Sequence, residues 1–206
     1  MINPTSTNVR LVKLQFTAIM FFALGLAYAQ AQERTEKFDA DAAKRTLSGE
    51  VARTPGRFVT KGLGGDPITK RFYSKNAVVV TRQSGATETH PFVEVPLLFV
   101  VNTDELRKDD ASRENVGKVA RMLKELAAQK ATFAIEGHAS AEGNPARNRE
   151  LSNLRALRIQ ELLRAKGVPA EVLARTEGFG SDHAQFSAKA DEPQLAKDRR
   201  VLVVKE

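Results

Sequence analysis

The stretch Glu136–Arg155, EGHASAEGNPARNRELSNLR, constrains this chain more than any other. A short apolar run, Thr132–Ile135, enters a turn bounded by Gly137 and Gly143, and a strongly helical, arginine-rich run leaves it. Strand, glycine turn and helix in that order predict an α/β unit. The turn, built of small and polar side chains, then lies beside the start of a basic helix. Backbone N–H groups at such a place suit an anion or a small zwitterion.

The flanking pattern extends the unit. Asn76–Thr81 reads as a strand through its β-branched run, and Ser84-Gly85-Ala86-Thr87 is a turn signal. A second extended run between Phe92 and Val101 predicts a hairpin with a longer loop, and strand Val95–Val101 leads into the polar loop Asn102–Asp110. Val116, Val119, Ala120, Met122, Leu123 and Leu126 recur at helical spacing within Arg113–Gln129, with Asp110 or Ser112 as the expected cap. Leu151, Leu154, Ile159, Leu162 and Leu163 mark a second helix over 147–166, and Gly167 is the expected stop. Pro169–Leu173 reads as a brief helical turn, and Leu173–Phe179 and Arg200–Val204 as the last strands. The expected fold is an α/β sandwich, β-α-β-α-β-β, with helices on one face of a mixed sheet over residues 92–206. An N-terminal extension, 32–91, precedes it. It holds a short helix over Phe38–Leu47, loop-like sequence rich in Gly, Pro and Thr over 48–75, and one strand of the hairpin.

Residues 1–31 predict a secretory signal. Arg10 and Lys13 are the only charges before Glu33, an apolar run follows to about Leu26, and Ala27-Tyr28-Ala29-Gln30-Ala31 offers cleavage after Ala29 or, preferably, Ala31. The apolar run is short for a membrane span, and no later stretch is long and apolar enough. The formal charge is +7, two of it from Arg10 and Lys13, so the remainder carries +5. On a secreted chain this moderate basicity disfavours nucleic acid and favours anionic polymers of the cell envelope. The sequence contains no cysteine, so neither a disulfide nor a lipid-modified N-terminal cysteine is expected.

Catalytic and metal chemistries find little support. His138 and Glu142 lie close together, but His90 and His183 are remote in sequence and a zinc site needs three or four ligands. No metal or other cofactor is expected. Ser140 and Ser152 lie near His138, yet there is no G-x-S-x-G elbow. Glu136, Glu142 and Glu150 form no specific acid pair for glycan hydrolysis. The chain is therefore not expected to be an enzyme. The arginines carry the clearest signal. Arg147, Arg149 and Arg164 read as a solvated helix face, whereas Arg155 falls at the edge of the apolar stripe. A helical side chain leans toward the N-terminus, so Arg155 points back toward the 138–143 turn. There its guanidinium would grip a carboxylate through two parallel hydrogen bonds, with Asn148 adding a neutral one.

These residues resemble the OmpA C-terminal-like, peptidoglycan-associated family from about Val93 to Val204. Phe99–Leu106, FVVNTDEL, is similar to its opening strand and loop, and Ile135-Glu-Gly-His-Ala-Ser140 to its I-x-G-H-T-D turn. Asn148–Ala156 matches N-x-x-L-S-x-x-R-A, Gly167-Val168 the helix end, Gly178-Phe179-Gly180 the G-[YF]-G strand end, and Arg199-Arg200-Val201 the closing R-R-V. The resemblance implies noncovalent binding of peptidoglycan through the diaminopimelate of its stem peptide, in the periplasm or at the outer membrane. An arginine, here Arg155, takes the carboxylate. The family's turn aspartate, which takes the ammonium, is replaced by Ser140, an acid of the opening strand by Val100, and an asparagine before R-R-V by Asp198. Losing that charge removes a bond of about 1.5–3 kcal/mol. Glu142 either supplies the missing carboxylate or only solvates the turn. The expected ligand-binding set is Arg155, Asn148, Ser140, Glu142, His138, Phe99 and Leu151. The alternative is a module of the same fold that has lost wall binding and docks an envelope protein instead.

Overall fold

The computed structural model describes residues 37–49 and 68–206. The expected signal segment and residues 50–67 of the Gly/Pro-rich stretch lie outside the described residues.

Six strands form one mixed sheet. They are β1 (Ile68–Tyr73), β2 (Ala77–Arg82), β3 (Thr87–Val95), β4 (Phe133–Gly137), β5 (Leu173–Gly178) and β6 (Val201–Lys205), in spatial order β1-β2-β3-β6-β4-β5. Only β4 and β5 run parallel, because α3 (Pro145–Ala165) carries the crossover between them. The other helices are α1 (Ala40–Ser48), α2 (Asp110–Ala127) and α4 (Glu192–Asp198). From β3 onward the order is β-α-β-α-β-α-β, the expected sandwich with one additional short helix.

Strand alternation divides the core in two. Val93, Val95, Phe133, Ile135, Val201 and Val203 face the helices, where they meet Leu47 of α1, Leu123 and Leu126 of α2, and Ile159 and Leu163 of α3. Phe92, Ala134, Leu202 and Val204 face the other way and are covered by Val78, Val80 and Tyr73 of the first hairpin. That second layer explains why β6 is buried on both faces and reads as a continuous apolar run.

Four local expectations are corrected. Residues 68–73, read as loop, form β1, paired antiparallel to β2 through the short turn after Tyr73. The β2–β3 connection is tight rather than long: Arg82 N–H bonds Ala86 O at 2.8 Å, and Gly85 takes φ 83°. Strand β3 ends at Val95 instead of running over Val95–Val101, because Pro96 has no N–H to offer the ladder. Asn115 fastens the departing chain, donating to Pro96 O at 2.9 Å while accepting from Phe38 N–H at 3.0 Å. Helix α2 is capped by Asp109, not Asp110 or Ser112; the Asp109 carboxylate accepts from Ser112 N–H at 2.7 Å and Ser112 Oγ–H at 2.9 Å. Gly167, at φ 82°, ends α3 as its sequence position implies.

Candidate functional site

The N-terminal half of α3 rests directly on the ends of β4 and β5. A Cβ on Gly137 would lie 2.1 Å from Ser152 O, and one on Gly178 2.1 Å from Asn153 N. Only glycine admits this approach. Ser152 then joins helix to strand, accepting from Gly180 N–H at 2.8 Å and donating to Arg149 O at 3.0 Å. The turn between β4 and α3 is fixed from both sides. Its His138 and Ala139 N–H groups bond Arg200 O and Gly180 O at 3.0 and 2.8 Å. Asn144 caps the helix through Ala146 and Arg147 N–H.

Arg155 lies two turns further along α3 and is only 9% exposed. Its Nε–H donates to Thr103 O at 2.9 Å, and its Cζ sits 4.9 Å from the centroid of the Phe99 ring. Among the described residues its two Nη groups have no hydrogen bond and no carboxylate within salt-bridge distance. Burial, together with the nearby charge of Arg199, lowers its pKa to about 10 against the opposing pull of Asp104, so it stays cationic at neutral pH. One edge and one face of the guanidinium are thus immobilised, while the Nη1/Nη2 end remains open for the two oxygens of a carboxylate.

The expected site residues separate into three groups. Arg155 and Phe99 are in contact, and Leu151, one helical turn before Arg155, is buried. Asn148, Ser140 and Glu142 form the turn. The Asn148 Nδ2 donates to Ser140 O at 3.2 Å and to Glu142 O at 2.7 Å, so this amide holds the loop rather than offering its N–H to a ligand. Ser140 is buried and the Glu142 side chain is exposed.

His138 forms the third group. It follows Gly137 in the strand alternation, so its ring points to the face opposite α3, where it packs edge-on against Tyr73 and stacks on Phe179. It is 2% exposed, neither ring nitrogen has a hydrogen-bond partner among the described residues, and burial holds it below the usual imidazole range. The same face buries Glu136, whose carboxylate accepts from Arg71, from Tyr73 Oη at 2.8 Å and from Arg175 Nη2 at 2.8 Å. Its Oε2 is 3.8 Å from His138 Nε2, beyond hydrogen-bond reach, so that influence is electrostatic. Beside this cluster a cleft of about 410 Å³ opens between β1 and β5. Its arginines are already neutralised: Arg71 by Glu136, Arg82 by Glu88, Arg149 by Asp182, and Arg175 by Glu136, Glu177 and Glu206.

Thr103, Asp104 and Arg199 were not singled out from the sequence as site residues. Thr103 acts through its backbone carbonyl, which leaves no mark on side-chain pattern. The N-T-D-E loop was visible, but its approach to Arg155 spans 52 residues of chain.

Fold and site together describe an α/β domain with one buried arginine, Arg155, on its helix-bearing face. Residues 98–199 match the model of the OmpA family, and the chain carries an OmpA-family domain over those residues. Comparison with curated proteins gave no significant match. Among solved structures, the periplasmic domain of Helicobacter pylori MotB (residues 78–256) is 16% identical, covering 66% of this chain and 87% of that one, with a TM-score of 0.47. The peptidoglycan-associated lipoprotein of Burkholderia pseudomallei is 20% identical, covering 53% of this chain and 88% of that one, with a TM-score of 0.45. The OmpA-like domain of FopA1 from Francisella tularensis is 14% identical, covering 69% and 81%, with a TM-score of 0.41. At such scores these structures add no argument to the family match.

Proposed function

We propose that this protein binds peptidoglycan noncovalently in the bacterial periplasm, gripping a stem-peptide carboxylate of diaminopimelate with Arg155 and catalysing no reaction. One observation carries the reading: a buried guanidinium held by the Thr103 carbonyl and the Phe99 ring, with its Nη end unspent. Burying a cation without a counter-charge is costly, and a bound carboxylate relieves that cost. The OmpA-family domain supports the ligand class. In this reading Phe99 and Leu151 shape the apolar wall, Asn148 sets the turn, and Ser140 and the backbone of 137–140 line it.

The test is cosedimentation with purified sacculi, wild type beside Arg155→Ala. Losing a charge-assisted bond of about 1.5–3 kcal/mol predicts binding weakened by about ten- to a hundredfold. Equal sedimentation of the two proteins would refute the role of Arg155. The absence of an acid at Ser140 motivates a second reading, a module that has lost wall binding and docks an envelope protein. Failure of the wild type to sediment would favour it.

A further inference from the structure

In diaminopimelate the distal carboxylate shares its carbon with an ammonium group. A site that takes the first must place a negative charge within a few ångströms for the second. The turn is poorly equipped, with a hydroxyl at Ser140 and an exposed side chain at Glu142. The loop that holds Arg155 is better placed.

That loop is stiff. Phe99 and Leu106 form a β-bridge, Val100 N–H bonds Glu105 O at 2.8 Å, and Arg107 N–H bonds Leu98 O at 2.7 Å. At its tip the Thr103 N–H donates to Val100 O at 3.1 Å, Thr103 Oγ accepts from Glu105 N–H at 3.1 Å, and Asn102 takes the left-handed φ of 59°. Thr103 presents its carbonyl to Arg155 Nε at 2.9 Å, and the next residue is Asp104. The Asp104 carboxylate is half-buried and has no hydrogen bond or ion pair with any described residue. Its charge nevertheless supports that of Arg155. Asp104 thus follows directly on the carbonyl that holds Arg155, at one loop–helix junction, and the two charges do not close on each other to within 4.0 Å. A zwitterion bridges such a pair: its carboxylate meets the Nη end, and its ammonium meets Asp104.

Resting on the peptidoglycan reading above, we propose that Asp104 is the ammonium-binding residue of this site, taking the part left vacant by Ser140. The loop thereby selects a stem residue carrying both charges over one carrying a carboxylate alone.

Titration calorimetry of the full chain tests this with two soluble muropeptides: one with a free diaminopimelate side-chain amine, one N-acetylated at that amine. The proteins are wild type, Asp104→Asn and Glu142→Gln, each checked for an unchanged thermal melt. Wild type is expected to prefer the free amine by about tenfold. Asp104→Asn is expected to lose that preference while binding the acetylated ligand as wild type does, and Glu142→Gln to keep it. The assignment is overturned if Asp104→Asn keeps the preference, if it weakens both ligands equally, or if the preference is lost in Glu142→Gln instead. Wild type that binds neither muropeptide would overturn the peptidoglycan reading itself, and this assignment with it.

Discussion

Glu136 is expected to contribute heavily to the stability of the fold through its charge. It is fully buried on β4, and the first hairpin reaches it from the far edge of the sheet through Arg71 and Tyr73, while Arg175 reaches it from β5. Burial pushes its pKa up, but the charges of Arg71 and Arg175, the Tyr73 hydroxyl and the polar field of His138 outweigh burial and bring it from 4.5 to about 2. That difference corresponds to about 3 kcal/mol of folding stability. Because the folded-state pKa is depressed, the contribution is fully present above pH 4.5 and is lost as pH falls toward 2. Glu136→Gln keeps the shape and removes the charge, leaving Arg71 and Arg175 a neutral acceptor where they had a buried carboxylate. At pH 7 it should lose about 3 kcal/mol, or about 1.5 M in urea midpoint for a slope of about 2 kcal/mol/M. Urea titrations of both proteins at several pH values check this. As pH is lowered through 4 to 3, the gap should close by at most about 1.4 kcal/mol per pH unit, because only the wild type has this proton to take up. A gap that stays constant with pH, or one below about 0.5 kcal/mol at pH 7, would refute the reasoning.

Two further perturbations follow from the packing. Gly178→Ala places a Cβ 2.1 Å from Asn153 N and 2.4 Å from its Cα, backbone atoms that cannot swing aside. The start of α3 must lift, costing about 1–3 kcal/mol or more; an unchanged melting temperature would contradict the contact. Asp198 is fully buried and holds the 185–186 backbone, accepting from Gln185 N–H at 2.7 Å and Phe186 N–H at 3.1 Å, beside Arg200 Nη1 at 3.2 Å. Asp198→Ala strands the Arg200 charge and should cost about 3–5 kcal/mol. It should also speed proteolysis after Lys189, and a cleavage rate like that of wild type would count against this account.

Much of the architecture is local information. Helical spacing placed α2 and α3 to within a few residues, the β-branched run placed β2, and Gly167 marked the end of α3. These signals are legible because a helix or strand writes its own period into neighbouring residues. The order of the turn, the N-x-x-L-S-x-x-R-A helix and the closing R-R-V carried the family. Arg155 could be nominated because a charge on an apolar stripe is an anomaly visible in one dimension.

What the residues do to one another was decided by tertiary structure. Strand β1 has no apolar period of its own; it is a strand because β2 offers it a ladder and Glu136, 65 residues on, offers Arg71 a counter-charge. His138 and Arg155 looked like one site and lie on opposite faces, since a strand alternates its side chains and Gly137 spends the helix-facing position on close packing with Ser152. Asn148 looked like a ligand donor and became a brace for the turn. The Thr103 carbonyl that aims Arg155 belongs to the backbone, which every sequence shares, so only folding could select it. Period and composition determine which elements form and which side chains are available. Contacts between residues far apart in the chain determine which charges are satisfied and which, like that of Arg155, keep a free end.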